Sequence, residues 1–334
     1  MKHVLVTGGG GYIGSTLTEV LLNRGYEVTV LDRFFFNNTL SDLENHKHLH
    51  LIKDDIRWCS ENIFKNIDAV CDLAALSNDP AGELDPHITL DINFKGRERI
   101  CKLAKKNGVQ KYILASSCSI YGFQDSEVDE QSPINPLTTY AQANSLAEES
   151  TLSLGDQNYS VTSLRQATIY GLSRRMRFDL AINGMTLALF QSGVVKILKD
   201  GTQWRPMVHI RDTSHAFVTV LETENSIANQ EIFNVGSNEQ NLQILPLAHR
   251  IAQALNMPFQ EEWYGEPDHR SYRVRFDKIK AKLNFQTSFT PENGAQEIFQ
   301  ALKMQKVKTD STTRTVQWYQ SLLKKENIFA KQNS

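Results

Sequence analysis

Three glycines near the start of the chain have the spacing of a loop that binds a pyrophosphate. In VLVTGGGGYIGSTLTEVLL, Gly8, Gly11 and Gly14 stand between an apolar strand pattern and a helical pattern. Gly8 permits a tight turn, Gly11 lets the backbone approach the phosphates, and Gly14 lets the helix pack closely on the strand. The N-terminus of that helix presents free N–H groups and a positive dipole end to the anion. A dinucleotide site is therefore predicted, with a glycine-rich turn that binds nothing as the alternative.

An acidic side chain at the end of the second predicted strand favours NAD as the dinucleotide. Asp32 stands eighteen residues after Gly14, where a carboxylate can accept hydrogen bonds from both hydroxyls of the adenosine ribose. Its negative charge would repel the 2′-phosphate of NADP, although Arg33, the next residue, could shift to meet that phosphate. We therefore predict that the cofactor is NAD.

The elements that must position these residues alternate between short apolar runs and helical patterns, which is typical of βα units and a parallel sheet. In the first half of the chain, the predicted strands are His3–Val6, Glu27–Leu31, His48–Lys53, Asp68–Leu73, Lys111–Ser116 and Ser160–Arg165. The predicted helices between them are Tyr12–Asn23, Pro86–Asn107 and Tyr140–Leu154. After Gly171 the predicted elements are the helix Phe178–Gln191, the strands Pro206–Ile210 and Glu231–Val235, and the helices Ile244–Leu255, Pro291–Met304 and Thr312–Lys325.

This order of elements predicts an α/β fold: a Rossmann-type doubly wound parallel sheet with a smaller interleaved α/β substrate domain. We expect residues 1–171, together with about 205–236, to form an NAD-binding domain. Residues 172–204 and about 237–330 are expected to form the domain that binds the substrate. No low-complexity linker separates the two parts, so we expect them to pack together.

The composition disfavours several other classes of protein. The formal net charge of −2 gives no bias toward nucleic acid or an anionic membrane surface. No apolar run approaches the roughly 20 residues of a membrane helix, and MKHVLVTGG leads into a strand rather than a signal peptide. The four cysteines form no CxxC pair and no histidine cluster suggests a metal. We therefore expect a cytoplasmic enzyme with buried thiols and no metal site.

Several motifs follow the glycine loop in order along nearly the whole chain. They are KDDIR, the Leu-Ala-Ala of residues 73–75, INFKG, SSCSIYG, LRQATIYG and RPMVHIRD. Together with TGGGGYIG, they resemble the extended short-chain dehydrogenase/reductase family, in particular its NAD-dependent nucleotide-sugar epimerases and dehydratases. The cofactor contacts that this resemblance implies are Gly8, Gly11, Tyr12, Ile13, Gly14, Asp32, Arg33, Asp55, Ile56, Leu73, Ala74, Ala75, Asn93, Ser116, Tyr140 and Asn144.

The resemblance also implies the catalytic residues. In this family a hydride moves between the nicotinamide and a sugar carbon, usually C4, while a tyrosine takes or gives the hydroxyl proton. By position Tyr140 is that acid/base, Ser117 is its hydroxyl partner and Ser119 is an auxiliary. An ordinary helix tyrosine is the alternative for Tyr140. The family's lysine, four residues after the tyrosine, is replaced by Asn144 in TTYAQANSL.

That replacement should alter the acid/base chemistry. In the family the lysine hydrogen-bonds the nicotinamide ribose and lowers the pKa of the tyrosine. Asn144 lies one helical turn after Tyr140, and its amide can make the hydrogen bond but carries no charge. A cation about 5 Å away contributes about 3 kcal/mol at an effective dielectric constant near 20, or roughly two pKa units. Without it, Tyr140 should be a poorer base in alcohol oxidation and a competent acid in ketone reduction. No substitute lysine can be identified from the sequence.

The residues that follow Ser117 disfavour two related reactions. Sugar 4,6-dehydratases of the family carry aspartate and glutamate where this chain has Cys118 and Ser119, and the glutamate of nucleotide-glucuronate decarboxylases is also missing. Neither side chain can do the acid/base work of a carboxylate. A nucleophilic Cys118 is an alternative, but no sequence feature indicates an activated thiol, and a packed thiol is the favoured interpretation.

On the substrate side, the resemblance places Arg205 and Arg270 where the family holds a sugar-nucleotide diphosphate. Guanidinium groups suit this ligand because they stay charged and bind phosphate oxygens in pairs. Asn183 matches an asparagine near the diphosphate, and Thr168 stands where many relatives have asparagine. Ser77, Asn78 and Asp79 follow the carboxyl end of a strand, where ligands bind in such sheets, although a capped loop explains them equally well. The expected substrate contacts are Ser77, Asn78, Thr168, Asn183, Arg205 and Arg270.

Two further stretches bear on the substrate. The basic run Arg174, Arg175 and Arg177 could line the same pocket or form a solvated loop. The segments SRRMRFDLAIN and EPDHRSYRV resemble a bacterial branch that acts on nucleotide-activated sugars such as GDP-linked heptoses.

Two hypotheses from different classes follow. The first is an NAD-dependent oxidoreductase or epimerase that acts at C4 of a nucleotide-diphosphate sugar, with a 4-keto-sugar reductase as a variant. The second, motivated by Asn144, is a catalytically silent regulatory protein that binds NAD and a nucleotide sugar. In many relatives the helices that correspond to Pro86–Asn107 and Tyr140–Leu154 form a dimer interface, so the resemblance implies a homodimer. No nucleic acid or membrane partner is expected.

Overall fold

The computed structural model describes residues 3–266, 270–325 and 329. Its strands, numbered in chain order, are β1 His3–Thr7, β2 Glu27–Asp32, β3 Leu49–Lys53, β4 Ala69–Asp72, β5 Lys111–Ser117, β6 Glu127–Val128, β7 Ser160–Gln166, β8 Thr168–Tyr170, β9 Val194–Leu198, β10 Trp204–His209, β11 Glu231–Val235, β12 Asn241–Gln243, β13 Gln260–Tyr264 and β14 Arg273–Val274. Its α-helices are α1 Tyr12–Asn23, α2 Asp79–Gly82, α3 Pro86–Leu90, α4 Arg97–Lys106, α5 Thr139–Leu152, α6 Ala181–Gln191, α7 Ile210–Glu222, α8 Asn225–Ala228, α9 Ile244–Leu255, α10 Asp277–Leu283, α11 Pro291–Lys303 and α12 Thr315–Leu323.

Seven parallel strands form the central sheet in the order β11-β7-β5-β4-β1-β2-β3. The chain first builds outward from β1 to β3, then crosses back to β4 and continues in the opposite direction. A crevice therefore opens outside the carboxyl ends of β1 and β4, where ligands bind in doubly wound folds. The predicted Rossmann-type doubly wound parallel sheet is confirmed.

Helices cover both faces of this sheet, which is why its central strands are apolar on both sides. Every residue of β4 is buried, as are all residues of β1 after His3, a pattern typical of parallel sheets. Helices α1 and α7 pack on one face around Leu17 and Phe217, and helices α4 and α5 pack on the other around Ile100 and Ala147. The strand ends that line the crevice are thus fixed by two cores.

The smaller lobe alternates with the sheet along the chain. A three-stranded sheet β12-β10-β8, the parallel pair β13-β9 and helices α6, α9 and α11 enclose a separate core that includes Ile182, Met207 and Leu247. Between these elements, α7 packs against α1 and β11 joins the edge of the large sheet. The division into two domains at the predicted bounds stays a prediction. None of the helices in the described ranges is both long and apolar enough to cross a lipid bilayer.

The helix predicted over Pro86–Asn107 contains an unexpected turn. A π-helical segment, Asp91–Gly96, separates α3 from α4. Such turns are rare and occur mostly at functional sites, and this one carries Asn93 and leads directly into Arg97. The sequence pattern also does not predict the short strands β6, β8, β9, β12, β13 and β14.

Candidate active site

A cavity of about 940 Å³ runs along the carboxyl ends of β1, β2, β4 and β5 and continues to β9 and β10. This volume lies near the upper end of the range of about 300–1,000 Å³ that ligand pockets occupy. All of the predicted site residues line the cavity except three asparagines. Those on its wall are Gly8, Gly11, Tyr12, Ile13, Gly14, Asp32, Arg33, Asp55, Ile56, Leu73, Ala74, Ala75, Ser77, Asn78, Ser116, Ser117, Ser119, Tyr140, Thr168, Arg205 and Arg270.

The glycine loop has the shape that a pyrophosphate requires. Gly8 has a φ of +68°, and a Cβ there would lie 2.8 Å from the backbone nitrogen of Ala74. A Cβ at Gly14 would overlap the carbonyl oxygen of Gly8, so only glycine lets the helix approach the strand this closely. Helix α1 begins at Tyr12, and its N-cap, Gly11, offers no side chain to the first N–H groups. These groups are available to an anion, and the loop fits a dinucleotide.

Asp32 is fixed at the end of β2, on the cavity wall. Its Oδ2 accepts a hydrogen bond from the backbone N–H of Gly10 at 2.9 Å, and its Oδ1 accepts one from that of Phe34 at 2.6 Å. Burial raises the pKa of Asp32, whereas these hydrogen bonds lower it. A carboxylate in this position suits the ribose hydroxyls of the dinucleotide.

Arg33 is paired with a carboxylate within the protein. Its Nη1 lies 3.2 Å from Oδ2 of Asp55, and its guanidinium lies 5.1 Å from the centroid of the Phe35 ring. Nη2 of Arg57 binds the same Asp55 oxygen at 2.9 Å. A 2′-phosphate would have to compete with Asp55 for Arg33 while facing the charge of Asp32, so the arrangement favours NAD over NADP.

Tyr140 and Ser117 are brought together from a helix and a strand. Ser117 ends β5, and Tyr140 lies in the first turn of α5, where the Thr138 hydroxyl caps the helix by accepting the Ala141 N–H at 3.1 Å. Helix α2 packs closely against this turn, because a Cβ on Gly82 would lie 2.9 Å from that of Tyr140. The helical turn that carries Tyr140 is therefore closely packed beside the cavity.

The electrostatic surroundings of Tyr140 are mixed. Burial raises its pKa above the ordinary value of 10.0, and the charge of Asp79 raises it further. The charge of Arg97 and hydrogen bonding by Ser117 and Asn144 act in the opposite direction. Burial is the largest of these effects, so the pKa of Tyr140 lies above its ordinary value.

Two hydroxyl groups beside this pair are suited to a ligand. The side-chain oxygens of Ser116 and Ser119 are buried, line the cavity and have no hydrogen-bond partner among the described residues. Buried hydroxyls are normally satisfied. Cys118, between Ser117 and Ser119, points the other way: it is fully buried, its Sγ lies 3.3 Å from the carbonyl oxygen of Arg165, and burial raises its pKa. It is a packed thiol, as predicted.

The three predicted asparagines that do not line the cavity are buried behind its wall. Asn93 is fully buried, and its amide exchanges hydrogen bonds of 2.8 and 3.0 Å with the backbone of Leu76, so it braces the loop after β4. Asn183 is also fully buried, accepting from the Gly171 N–H at 3.0 Å and donating to the Tyr12 hydroxyl at 2.9 Å. Both amides are therefore engaged in hydrogen bonds that support loops, and their predicted contacts with cofactor and substrate stay predictions.

Asn144 is the third of these. It is 1% exposed, its Oδ1 accepts a hydrogen bond from Nη1 of Arg97 at 3.0 Å, and its Nδ2 donates to the backbone oxygen of Tyr140 at 2.9 Å. The expected hydrogen bond from Asn144 to the nicotinamide ribose is therefore not supported by its position. Its direct contact with a buried arginine could not be foreseen from the sequence.

Arg205 and Arg270 stand together at the predicted diphosphate subsite. Nη1 of Arg205 donates to the backbone oxygen of Arg270, and the Arg205 guanidinium lies 5.6 Å from the ring of Tyr272. Nη1 of Arg270 lies 2.9 Å from Oδ2 of Asp79, whose Oδ1 accepts from the Thr138 hydroxyl at 2.6 Å. The arginines are thus joined to the turn that carries Tyr140.

Ser77 and Asn78 belong to a polar network that reaches across the cavity. Nη1 of Arg177 donates to the Ser77 hydroxyl at 3.2 Å, and Nδ2 of Asn78 donates to Oδ2 of Asp179 at 2.8 Å. Arg177 and Asp179 are paired at 2.7 Å. Thr168 begins β8 on the same wall.

The basic run of residues 174–177 divides between surface and cavity. Arg174 pairs with Glu19 at 2.6 Å and Asp42 at 2.9 Å, away from the cavity wall. Arg175 and Arg177 are only 4% and 6% exposed and line the cavity. Burial lowers the pKa of Arg175 to about 10, and its guanidinium lies 3.7 Å from the centroid of the Phe36 ring.

Other cavity residues carry no motif that would have singled them out. Aromatic and lobe residues complete the lining, namely Phe35, Phe36, Val194, Lys196, Tyr264 and Tyr319. Part of the segment EPDHRSYRV, residues 267–269, lies outside the described residues. In the smaller lobe, His209 and Asp212 act structurally: the His209 ring stacks on Phe289 at 4.2 Å, and Asp212 accepts from the Ser288 N–H at 2.9 Å.

The sheet topology, the glycine loop and the Tyr140–Ser117 pair define a dinucleotide-dependent oxidoreductase of the doubly wound class. More particularly, the chain belongs to the NAD dependent epimerase/dehydratase family, whose model matches residues 4–236. The resemblance to the extended short-chain dehydrogenase/reductases is thereby confirmed, and NAD is the cofactor. The residues present fit it: the glycine loop would receive the pyrophosphate and Asp32 the ribose.

Known proteins extend this similarity over most of the chain. The putative UDP-glucose 4-epimerase of Methanocaldococcus jannaschii is 30% identical over 315 residues, covering 90% of this chain and 98% of that protein. UDP-glucuronic acid decarboxylase 1 of Danio rerio is 27% identical over 314 residues, covering 90% and 72%. The structure of MoeE5 in complex with UDP-glucuronic acid and NAD is 25% identical, with a TM-score of 0.81 and coverage of 91% and 99%. These relatives include an epimerase and a decarboxylase, so similarity alone does not decide the reaction.

Proposed function

We propose that the protein is an NAD-dependent enzyme that moves a hydride at C4 of a nucleotide-diphosphate sugar, with epimerisation at that carbon as the net reaction. One observation carries the proposal: the glycine loop with Asp32, the Tyr140–Ser117 pair and the paired arginines 205 and 270 all line one cavity. Cofactor, acid/base and anion-binding groups are thus arranged for one reaction. The relatives that act on or bind UDP-sugars support the substrate class.

Each group has a part in the reaction. Bound NAD supplies the nicotinamide that takes and returns the hydride. Tyr140 as the phenolate takes the proton from the sugar hydroxyl, and as the phenol it later gives that proton back, while Ser117 hydrogen-bonds the same oxygen. Arg205 and Arg270 bind the diphosphate through charge-assisted hydrogen bonds, which holds the sugar within reach of Tyr140.

A 4-keto-sugar reductase is the second candidate, favoured by the state of Tyr140. Burial and Asp79 raise the pKa of the phenol, so at neutral pH it is ready to donate a proton to a ketone. The positive charge of the oxidised nicotinamide would lower that pKa and favour the base form. The direction of net chemistry therefore depends on the cofactor's redox state.

Decarboxylation and 4,6-dehydration are disfavoured in this proposal because the loop after Ser117 supplies no carboxylate. Cys118 is fully buried and Ser119 is uncharged. A decarboxylase nevertheless stands among the relatives, so the product must be identified directly. The narrower resemblance to enzymes of GDP-linked heptoses, a homodimer built on α4 and α5, and a cytoplasmic location all stay predictions.

The decisive experiment is to denature the purified protein, identify the released cofactor by mass spectrometry, and then offer the folded protein UDP-glucose, UDP-glucuronic acid and a GDP-linked heptose. We expect released NAD, a transient rise in reduced-nicotinamide absorbance, and a product of unchanged mass with inverted C4. Loss of water or of carbon dioxide would replace the epimerase with a dehydratase or decarboxylase. Bound NAD that no sugar reduces, and that no keto-sugar reoxidises after chemical reduction to NADH, would favour the silent binding protein. Protein that neither carries nor binds NAD would refute the proposal.

A further inference from the structure

We propose that the buried guanidinium of Arg97 supplies the positive charge that a lysine at position 144 would otherwise provide, and that Asn144 couples this charge to Tyr140. The catalytic consequence rests on the function proposed above, but the electrostatic arrangement does not. Arg97 is a positioning residue, since it acts through Asn144 and does not line the cavity.

The guanidinium is held at the back of the catalytic pair. Arg97 is 1% exposed, and its Nη2 donates to the backbone oxygen of Ala115 at 2.5 Å and to that of Asp72 at 3.1 Å. These carbonyls lie at the ends of β5 and β4, next to Ser117. Its Nη1 faces helix α5, where it donates to Oδ1 of Asn144 at 3.0 Å. The cation therefore bridges the strand that carries Ser117 and the helix that carries Tyr140.

Arginine is a residue type suited to carrying a charge in a buried place. Its guanidinium does not lose its proton within proteins and has no acceptor atom to offer. The carboxylate of Asp72 partly compensates for burial: its Oδ2 lies 3.9 Å from Nε of Arg97, which has no hydrogen-bond partner among the described residues. Asp72 is itself bound by the Thr7 hydroxyl at 2.5 Å and by the Tyr112 hydroxyl. Because Asp72 meets the Nε edge while Nη1 faces Asn144, the acid attenuates the charge on the Tyr140 side without abolishing it.

Asn144 is the residue type that this arrangement requires. Its carbonyl oxygen accepts from Arg97, and its amino group donates to the backbone of Tyr140, so both halves of a neutral amide are used. A lysine ammonium has only donors and would meet the guanidinium as a like charge. Arg97, 47 residues earlier, thus accounts for the asparagine that replaces the family's lysine at position 144. The neutral amide of Asn144 in turn allows the guanidinium to be buried there.

The charged groups around Tyr140 oppose one another. Asp79 on α2 raises its pKa, whereas Arg97 lowers it, and Arg177 faces the phenol from the loop after β8. Asp72 acts from behind Arg97, and Arg270 neutralises part of Asp79. The net effect of Arg97, partly offset by Asp72 behind it, is to lower the pKa of Tyr140.

The test is the titration of Tyr140 itself, which needs neither substrate nor turnover. Tyrosinate absorbance is followed against pH in each protein and in the same protein with Tyr140→Phe, so that the difference isolates this phenol. We expect Arg97→Met to raise the Tyr140 midpoint by about one pH unit. The matched control is Arg99→Met, which removes an arginine of the same helix that donates to the backbone oxygens of Ile56 and Cys59 and should leave the midpoint unchanged. Equal midpoints in Arg97→Met and Arg99→Met would overturn the proposal.

Two double variants provide the same test if Arg97→Met does not fold. Arg97→Thr/Asn144→Lys returns the cation to α5 without a like-charge contact, and Arg97→Thr/Asn144→Gln is its neutral counterpart. We expect the first to titrate at or below the wild-type midpoint and the second about one unit above it. A neutral pair that titrates with the wild type would overturn the proposal. If the midpoints shift as expected but no nucleotide sugar reacts, the proposed function fails and the role of Arg97 stands.

Discussion

Asn144→Lys restores the family motif, yet the structure predicts that it damages this protein. The side chain is 1% exposed, and its oxygen lies 3.0 Å from Nη1 of Arg97. A lysine there would bring an ammonium group against a guanidinium in a buried site. Arg97 cannot move away freely, because its other nitrogen is bound to the carbonyls of Asp72 and Ala115.

The size of the effect follows from the geometry. Two unit charges about 4 Å apart repel by about 4 kcal/mol at an effective dielectric constant near 20. Asp72, 3.9 Å from Nε of Arg97, offsets part of this, and the lysine can release its proton. We therefore expect a loss of about 2 to 3 kcal/mol in the free energy of unfolding at neutral pH. Repulsion lowers the lysine pKa in the folded state, so the unfolded state binds more protons and the loss should shrink as pH rises toward about 10.

The assay is urea denaturation of Asn144→Lys beside Asn144→Met at neutral pH and at about pH 9. The methionine variant loses the same hydrogen bonds and has a similar length, so the difference between the two variants reports the charge. Adding Arg97→Thr should stabilise the lysine variant and not the methionine variant. Equal stability of the two single variants at both pH values would refute the reasoning, as would faster turnover in Asn144→Lys than in the wild type.

Three further outcomes are expected. Asp32→Asn should weaken NAD binding about tenfold to a hundredfold, because hydrogen bonds to a charged group contribute about 1.5–3 kcal/mol; unchanged affinity in calorimetry would remove Asp32 from the site. Arg270→Met should weaken binding of UDP, a probe of the diphosphate subsite, by a similar factor, while Arg174→Met, outside the cavity, should have no effect. Lys111 donates to three backbone carbonyls at the C-terminal end of α7, and burial lowers its pKa to about 8. The unfolded chain therefore binds more protons than the folded chain between pH 8 and 10.5, so the free energy of unfolding should rise with pH in that range. Lys111→Met should reduce this slope when denaturation is measured across the same pH range.

The large sheet could be predicted from the sequence because its signals are local. Strands such as Ala69–Asp72 are short apolar runs between helical patterns, and the glycine loop marks its own turn. The parallel strand Gln260–Tyr264 could not be predicted, since it is exposed throughout and pairs with Val194–Leu198 far away in the chain. The π-helical turn Asp91–Gly96 also escapes a pattern search, because one extra residue barely changes the spacing of apolar side chains.

Site residues that must stand at a fixed spacing in the glycine motif were easier to predict than asparagines. Gly14 and Asp32 are recognisable from spacing alone, and both line the cavity. An asparagine amide can contact a ligand or join two loops equally well. Which of the two it does depends on the groups that the tertiary structure places beside it. Asn93 and Asn183 each hydrogen-bond the backbone of a loop. Asp79 follows the same strand end as Asn78. Its pairing with Arg270 could not be predicted, because the two residues are brought together only by the tertiary structure.

Arg97 illustrates why a change in a catalytic motif does not by itself indicate a lost function. In the sequence, GRERICK reads as the charged face of a surface helix, and nothing marks one arginine as buried. In the fold, the preceding π-helical turn leads into Arg97, which contacts the backbone of β4 and β5 near the active site as well as Asn144. A silent binding protein has no need to retain a buried cation there, since burying an arginine is costly unless it is fully paired. The structure therefore favours an enzyme in which the charge has moved to a neighbouring helix over one from which it has been lost.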